Sequence, residues 1–169
     1  MDTIENKKDI APVDIKKYNP QFKWEFERLN RQWLEKYFIV ESIDLEVFSD
    51  PVAKIIRPGG EIIFALVENQ VAGTCALIKE GKDRYQLGRM AVDEKFQGYG
   101  IGKKLMEEIL GIAQNKKAKT VYLHSNTRLR PALRLYEKYG FKTTHLGQHP
   151  KFIRGNIIME KDMDKKSHE

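Results

Sequence analysis

Apolar residues recur at helical spacing in the first third of the chain. They fall at every third or fourth position from Phe22 to Tyr37, which predicts an amphipathic helix with one buried stripe. A shorter helical piece is predicted between Asp44 and Ile56, because the sequence Arg57-Pro58-Gly59-Gly60 breaks a helix. The stripe of the first helix contains Phe22, Phe26, Leu29, Trp33 and Tyr37.

The middle of the chain is rich in β-branched and aromatic residues. Glu61–Val67, Val71–Ile78 and Tyr85–Val92 have this composition, and the polar stretches Glu68–Gln70 and Glu80–Asp83 separate them. Apolar runs of this length with short polar breaks predict three consecutive antiparallel strands.

The period changes again after the third strand, and helix and strand signals then alternate. This order of elements predicts an α+β fold with a mixed sheet, in which helices cover a mostly β core. The predicted elements are a helix from Gln97 to about Asn115, a strand at Thr120–His124, a helix from Pro131 to Gly140, and strands at Phe141–Leu146 and Phe152–Met159.

The composition is that of a globular chain. Of its 169 residues, 41% are hydrophobic and 32% are charged, so one domain spanning 1–169 is expected, with ends at about 1–12 and 162–169 that fray. No apolar run approaches the roughly 20 residues of a membrane helix, and the N-terminus lacks a secretory leader pattern. Cys75 has no cysteine partner for an internal disulfide, which also favours the cytoplasm.

The charge and the remaining reactive residues exclude several classes. The net charge is +6, but Lys and Arg are scattered among Glu and Asp, so nucleic-acid binding is not expected. Part of this charge is expected to meet a phosphate-bearing cofactor. The spacing of His124, His145 and His149 does not suggest a metal site. Cys75 is interpreted as a small core residue rather than a nucleophile.

A glycine-rich stretch joins the third predicted strand to the helix after it. A helix begins with unpaired N–H groups and a partial positive charge, and glycines let an anion approach the main chain. The junction therefore predicts a pyrophosphate site. The Walker A pattern fails because Lys103 is followed by Lys104, and the dinucleotide pattern fails because Gly98, Gly100 and Gly102 alternate strictly.

The segment Gln97-Gly98-Tyr99-Gly100-Ile101-Gly102 resembles the Q/R-x-x-G-x-G/A acetyl-CoA loop of the GNAT superfamily. Leu135-Tyr136-Glu137-Lys138-Tyr139-Gly140-Phe141 resembles the LYxKxGF segment that follows at a similar distance in that family. The resemblance covers roughly Glu61 to Met159. It implies a mostly antiparallel twisted sheet of about six to seven strands flanked by about four helices, and an N-acetyltransferase. The chain is also similar to the acetyltransferase half of bacterial MarR–GNAT fusion proteins.

The resemblance assigns cofactor contacts to three parts of the chain. The strand residues Met90, Ala91 and Val92 are expected to contact the pantetheine arm of acetyl-CoA, which is the cosubstrate, and to polarise the thioester carbonyl through an N–H donor. Asn126 is expected to hydrogen-bond the cofactor. The residues expected to hold the pyrophosphate are Gln97, Gly98, Tyr99, Gly100, Ile101 and Gly102, and the expected helpers for its phosphates are Lys103, Arg128, Arg134 and Lys138.

The same resemblance suggests the groups that move protons. Tyr136 matches the family's general acid, which protonates the departing coenzyme A thiolate. An attacking ammonium must first lose a proton, and several family members use a glutamate on the strand before the glycine loop. That position corresponds to Gln86, which cannot act as a base. Glu41 is therefore the first candidate for the general base. Asp44 is the second candidate, although a helix-capping role is favoured for it. A base that acts through an ordered water stays open.

The acceptor is expected to be a small-molecule amine, and Tyr37, Phe38, Glu41 and Arg154 are the candidate contacts. Because Arg154 suits a carboxylate, an amino acid or related carboxylated amine is the first hypothesis. A protein lysine or N-terminus, a non-catalytic acetyl-CoA sensor, and a homodimer stay open. No membrane partner is expected. The remaining pocket residues are expected at the Arg57–Gly60 turn and at Tyr139, Phe152 and Asn156.

Overall fold

Seven strands form one mixed sheet in the computed structural model, in the order β1-β2-β3-β4-β5-β7-β6. The structure describes residues 12–148 and 154–164. Neighbouring strands are antiparallel except β4 and β5, which are parallel. The strands are β1 (Val13–Lys17), β2 (Glu61–Val67), β3 (Gln70–Lys79), β4 (Arg84–Val92), β5 (Thr120–Ser125), β6 (Lys142–Leu146) and β7 (Ile157–Asp162).

Four α-helices accompany the sheet in the described part of the chain, and the predicted α+β fold is confirmed. The second of them, Ser42–Ser49, is followed by a π-helical turn, Val52–Ile56, so the single piece predicted between Asp44 and Ile56 is two elements. Among the described residues no helix is long and apolar enough to cross a membrane. The helices are α1 (Lys23–Tyr37), α2 (Ser42–Ser49), α3 (Ile101–Asn115) and α4 (Arg130–Lys138).

The sheet is covered on both faces, which explains why β2 is apolar along its whole length. Successive side chains of a strand point to opposite faces. One face of β2 packs against a cluster that contains Phe26 of α1 and Phe48 of α2, and the other packs against Leu105 and Ile109 of α3. The first face carries Ile62, Phe64 and Leu66, and the second carries Ile63, Ala65 and Val67.

Two strands, β1 and β7, differ from the prediction. No element was predicted at Val13–Lys17, which forms the edge strand β1 and pairs with β2. β7 ends at Asp162 rather than Met159, so Asp162 belongs to a strand and not to a frayed end. The last residues of β7, Glu160–Asp162, are polar and therefore resemble a surface tail in the sequence. In the structure, β7 pairs with both β5 and β6, and Glu160 forms an ion pair with Arg84. Phe152 lies outside the described residues.

β4 departs from regular geometry in two ways that create space in the sheet. Arg89 and Met90 lie opposite the single residue Cys75, and Arg89 has a φ of 53°, so β4 carries a bulge. β4 pairs with β5 only through Arg84–Gln86, although both strands continue beyond that point. The two strands therefore separate after Gln86, and this divergence is called the fork below.

Candidate active site

A cleft of about 910 Å³ lies at the fork. Its walls come from the diverging ends of β4 and β5, the start of α3, the middle of α4 and the end of α1. Because β4 pairs with β5 only up to Gln86, main-chain groups of β4 beyond that residue border the cleft instead of a neighbouring strand. A long, narrow ligand that accepts hydrogen bonds from a strand suits this space.

The glycine-rich loop, Gln97–Gly102, enters the cleft where α3 begins. Gly98 has a φ of 86° and Gly100 a φ of 74°, left-handed values that glycine adopts without steric cost. Gly100 caps α3, has no side chain to accept from the helix N–H groups, and is followed by a first turn with no acidic residue. The N-terminus of α3 thus presents donors and a positive dipole to an anion in the cleft.

An ion pair supports the approach to this loop. Asp93 is 2% exposed, accepts a hydrogen bond from the Lys95 backbone at 3.0 Å, and receives the Arg28 guanidinium at 2.8 Å. Burial opposes ionisation of this carboxyl, but the two hydrogen bonds outweigh burial and lower the pKa of Asp93 below its usual range. The turn before the glycine-rich loop is therefore anchored to α1.

Tyr136 of α4 lines the cleft. Its ring makes an edge contact with Phe141 at a centroid distance of 6.1 Å. Burial, with a smaller effect of the neighbouring Cys75, raises the pKa of Tyr136 to about 12. The phenol therefore keeps its proton at neutral pH and can donate it to an anion that forms in the cleft.

A charged cluster borders the cleft near the end of α1, and this part of the cleft is called the acceptor end below. Asp44 is fully buried and accepts hydrogen bonds from Arg89 at 2.6 Å, Arg154 at 2.8 Å and the Glu41 backbone at 2.8 Å. Burial opposes its ionisation, but the hydrogen bonds from Arg154, Glu41 and Arg89 together lower the pKa of Asp44. The Arg154 guanidinium also lies 3.1 Å from a Glu41 carboxylate oxygen. Two carboxylates and two arginines balance one another in this cluster.

The comparison with known families identifies the chain. Residues 19–141 match the model described as "Acetyltransferase (GNAT) family". The match includes the fork, the glycine-rich loop and Tyr136. The chain belongs to the GNAT acetyltransferase family. It is an N-acetyltransferase, and GNAT enzymes use acetyl-CoA, which agrees with an anion site at the start of α3.

Relatives of known sequence agree with this identification. An uncharacterized N-acetyltransferase from Schizosaccharomyces pombe is 26% identical over 151 residues, which are 86% of this chain and 91% of the relative. The spermine/spermidine N(1)-acetyltransferase of Bacillus subtilis is 37% identical over 60 residues, or 35% of this chain and 40% of the relative. The N-acetylaspartate synthetase of Danio rerio is 28% identical over 117 residues, which are 66% of this chain and 42% of the relative.

Solved GNAT structures have the same fold. The structure of a GNAT-family acetyltransferase from Staphylococcus aureus Mu50 superposes with a TM-score of 0.79 at 19% identity, and covers 90% of this chain and 99% of that one. The PaiA N-acetyltransferase of Thermoplasma acidophilum, in complex with coenzyme A, superposes with a TM-score of 0.70 at 18% identity, and covers 89% of this chain and 99% of that one. At these identities the likeness concerns the fold.

The structure brings most of the expected GNAT cofactor residues to one cleft. Five of the expected residues are not among those that line it. Tyr99 packs against Phe96, and the other four, Lys103, Arg128, Arg134 and Lys138, are exposed. The expected residues that line it are Met90, Ala91, Val92, Gln97, Gly98, Gly100, Ile101, Gly102 and Asn126.

Two of the expected cofactor contacts hold protein segments together. The Asn126 amide donates to the Arg154 carbonyl at 3.1 Å and accepts from the Arg128 backbone at 3.1 Å. The Arg128 guanidinium donates to the Tyr37 carbonyl at 2.6 Å and lies 4.7 Å from the centre of the Phe38 ring. Arg128 therefore links the β5–α4 loop to the end of α1 instead of pointing to the glycine-rich loop.

The expected acceptor residues are only partly grouped. Tyr37, Phe38, Glu41 and Arg154 line the cleft. The Arg57–Gly60 turn, Tyr139 and Asn156 do not: Tyr139 donates to Glu107 at 2.8 Å, and Asn156 donates to Thr127 at 3.0 Å. Fewer residues than predicted therefore line this part of the cleft. Phe152 and His149 lie outside the described residues.

Gln86 lies at the last paired position before the fork, opposite Tyr122, and lines the cleft. His124 of β5 also lines it, so this histidine is closer to the chemistry than its sequence context suggested. Cys75 is fully buried, and burial raises the pKa of its thiol. Among residues 12–148 and 154–164, no group of three or more His, Cys, Asp or Glu side chains is arranged to hold a metal ion.

Two arginines were not predicted from sequence: Arg89, which lines the cleft, and Arg28, which anchors the turn before the glycine-rich loop. Arg89 follows Gly88 in β4 and reads as a solvated strand residue, but the bulge directs it to the buried Asp44. Arg28 lies on the polar side of the α1 stripe and reads as an exposed helix residue. No local pattern in the sequence signals either ion pair, because the partners are 45 and 65 residues away.

Proposed function

We propose that this GNAT enzyme transfers the acetyl group of acetyl-CoA to the primary amine of a small molecule by direct attack. The observation that carries the proposal is the uncapped N-terminus of α3, where Gly98 and Gly100 adopt left-handed conformations beside the fork. Such a helix start binds a pyrophosphate through main-chain N–H groups. The fork beside it offers β4 main chain to the pantetheine arm.

The donor is held by the main chain more than by side chains. Gln97–Gly102 hold the pyrophosphate, and Met90–Val92 align the pantetheine arm in the fork. An N–H group of β4 donates to the thioester carbonyl, and this hydrogen bond strengthens as the oxygen gains negative charge in the transition state. Fixed donors in a cleft sheltered from water need little rearrangement at that moment.

Two side chains move protons in the proposed reaction. Tyr136 protonates the departing thiolate, and its pKa of about 12 keeps the phenol protonated until the C–S bond breaks. Glu41 accepts a proton from the acceptor ammonium. Gln86, which stands where some relatives have the base, hydrogen-bonds the acceptor or an ordered water but takes no proton.

The acceptor is proposed to be a carboxylated amine. Arg154 and Arg89 bring two guanidinium groups to the acceptor end of the cleft, and a guanidinium pairs with a carboxylate through two parallel hydrogen bonds. The relatives include an enzyme named for N-acetylaspartate and one named for spermine and spermidine. Arg154 favours a carboxylated acceptor over a polyamine, because its guanidinium can pair with a carboxylate, which a polyamine lacks.

The test is coenzyme A release from acetyl-CoA over a panel of small amines, with amino acids, polyamines and a lysine peptide. We expect turnover to be fastest with carboxylated amines and to fall about 100-fold or more in Tyr136→Phe. The matched control is Tyr18→Phe, which alters a tyrosine that packs on Phe64, in the cluster that faces away from α3. Fastest turnover on the lysine peptide would instead assign a protein acceptor.

Binding of acetyl-CoA without transfer, as in a sensor, is the alternative against which the proposed reaction is tested. Gln86 at the fork is the observation in its favour, since the position carries no carboxylate. This function predicts tight binding of acetyl-CoA in calorimetry, no turnover with any amine, and no effect of Tyr136→Phe. Failure to bind acetyl-CoA would contradict both candidates.

A further inference from the structure

Arg154 holds two carboxylates that differ sharply in their surroundings. Its Nη2 donates to Asp44, which is fully buried, while its Nε lies 3.1 Å from Glu41, whose side chain is 42% exposed. Both carboxylates belong to a capping box at the start of α2, in which the Asp44 side chain accepts from the Glu41 backbone and the Glu41 side chain accepts from the Asp44 backbone. One guanidinium therefore joins a fixed and an exposed anion at the acceptor end of the cleft.

Only the exposed carboxylate is exchangeable. Asp44 receives a second guanidinium, that of Arg89, at 2.6 Å, so its charge stays compensated if Arg154 changes partner. Removing Asp44 from its partners would leave a buried charge, which is strongly unfavourable. Glu41 loses little when its ion pair opens, because water solvates an exposed carboxylate well. Glu41 and Arg154 both line the cleft, so a ligand there has access to their contact.

We propose that the carboxylate of the acceptor displaces Glu41 from Arg154, and that the released Glu41 then accepts the proton of the acceptor ammonium. This inference rests on the proposed function and adds the means by which the enzyme selects its acceptor. In the free protein the ion pair occupies Glu41. An acceptor with a carboxylate exchanges that pair for its own, whereas an amine without one leaves Glu41 occupied.

The proton balance of the step is complete. The ammonium gives one proton to Glu41, and the neutral amine attacks the thioester carbon to form the new C–N bond. The C–S bond breaks, and the sulfur takes a proton from Tyr136. The nitrogen loses its second proton, which restores the Tyr136 phenol directly or through water. Glu41 returns its proton to solvent, so each turnover gives one amide, one thiol and one proton.

The test compares amines that differ only in a carboxylate: β-alanine with ethylamine, γ-aminobutyrate with propylamine, and phenylalanine with phenethylamine. We expect the wild-type kcat/KM to be about tenfold or more higher for the carboxylated member of the best pair. In Arg154→Gln this preference should fall about tenfold, and kcat for the amine without a carboxylate should rise, because Glu41 no longer pairs with Arg154. A purely structural Arg154 would lower both members together.

A second variant and a control make the outcome decisive. Glu41→Gln should lower kcat for the carboxylated amine about tenfold or more, without raising its KM, because the competing carboxylate is gone while Arg154 stays. Arg31→Gln, which removes an arginine paired with Glu27 on α1, should leave the preference unchanged. An unchanged preference in Arg154→Gln overturns the inference alone. Turnover without a carboxylate preference overturns the inference and the carboxylated acceptor, but leaves acetyl transfer to an amine standing. Absence of turnover on every amine overturns the proposed function and the inference with it.

Discussion

The Arg28 guanidinium lies 2.8 Å from the carboxylate of Asp93, and this pair joins α1 to the turn that precedes the glycine-rich loop. Arg28 also donates to the Val71 carbonyl at 3.3 Å, so one side chain contacts α1, the start of β3 and the end of β4. The position of the glycine-rich loop therefore depends on a contact outside the cleft.

We expect Arg28→Met to reduce the free energy of unfolding by about 1 to 3 kcal/mol, because it leaves the buried Asp93 without its cation. The loss is less than for a fully buried pair, since Arg28 is 30% exposed. Urea denaturation measures it, and calorimetry should show weaker coenzyme A binding as the loop loses its anchor. Arg31→Met, which breaks an i,i+4 pair with Glu27, is the control and should cost about 0.5 kcal/mol. Equal losses would contradict the anchoring role.

Alanine substitutions at two glycines of α3 are expected to have opposite effects on the stability of the protein. Gly100 caps α3 with a φ of 74°, so Gly100→Ala should destabilise the protein by about 1 to 2 kcal/mol and weaken coenzyme A binding. Gly111 lies inside the same helix with open space around it, and Gly111→Ala should stabilise by about 0.5 to 1 kcal/mol. Thermal melting compares them, and a stabilising Gly100→Ala would contradict the assigned conformation.

The lowered pKa of Asp44 fixes how its contribution depends on pH. Because the folded pKa lies below the unfolded value of about 3.9, the stabilisation is complete above that pH and disappears as the pH falls through the folded pKa. Asp44→Asn should thus cost about 3 kcal/mol at pH 7, and the difference from wild type should shrink below about pH 4. Denaturation at several pH values measures this.

The control for this prediction is Asp83→Asn. Asp83 forms an exposed ion pair with Lys119 at 3.8 Å, so its loss should change the unfolding free energy by less than about 1 kcal/mol at pH 7. If the Asp44→Asn difference grew in acid, the assigned direction of the pKa shift would be wrong.

Tyr136 predicts the shape of the pH–rate profile. A general acid must be protonated, and a pKa of about 12 keeps the phenol protonated throughout an ordinary assay range. The rate should therefore rise with pH as the acceptor amine loses its proton, and should reach a plateau without an alkaline decline below about pH 11. Tyr136→Phe should lower the plateau and keep the rise. A decline near pH 9 that disappears in Tyr136→Phe would contradict the high pKa.

Local periodicity was sufficient to predict most of the fold. The stripe of α1 and the apolar runs of β2, β3 and β4 each carry their own signal within about 15 residues, and their bounds agree with the structure to within one residue. β1 was missed because Val13 and Ile15 alternate over only five residues, and the strand exists through its pairing with β2. β7 was misplaced because charged residues end it.

The conformation of the glycine-rich loop was predictable from sequence. Gly98 and Gly100 specify it locally, because both adopt left-handed φ values at the start of α3. The contacts of Asp44 were not predictable, because they join residues 45 and 110 positions apart, and only the folded sheet brings them together. The same limit applies to Arg128, which a charge-based interpretation assigned to the cofactor.

The short pairing between β4 and β5 has a consequence for the stability of the protein itself. Among the described residues, three residue pairs and two hydrogen bonds from the Lys119 and Thr120 N–H groups to the Asp83 carbonyl form the main-chain seam between the four strands on one side and the three on the other. Opening of this seam breaks few hydrogen bonds, so the two sides are expected to exchange amide hydrogens as separate cooperative units. A donor molecule bound across the seam contacts both units, and it should slow exchange in each by mass action.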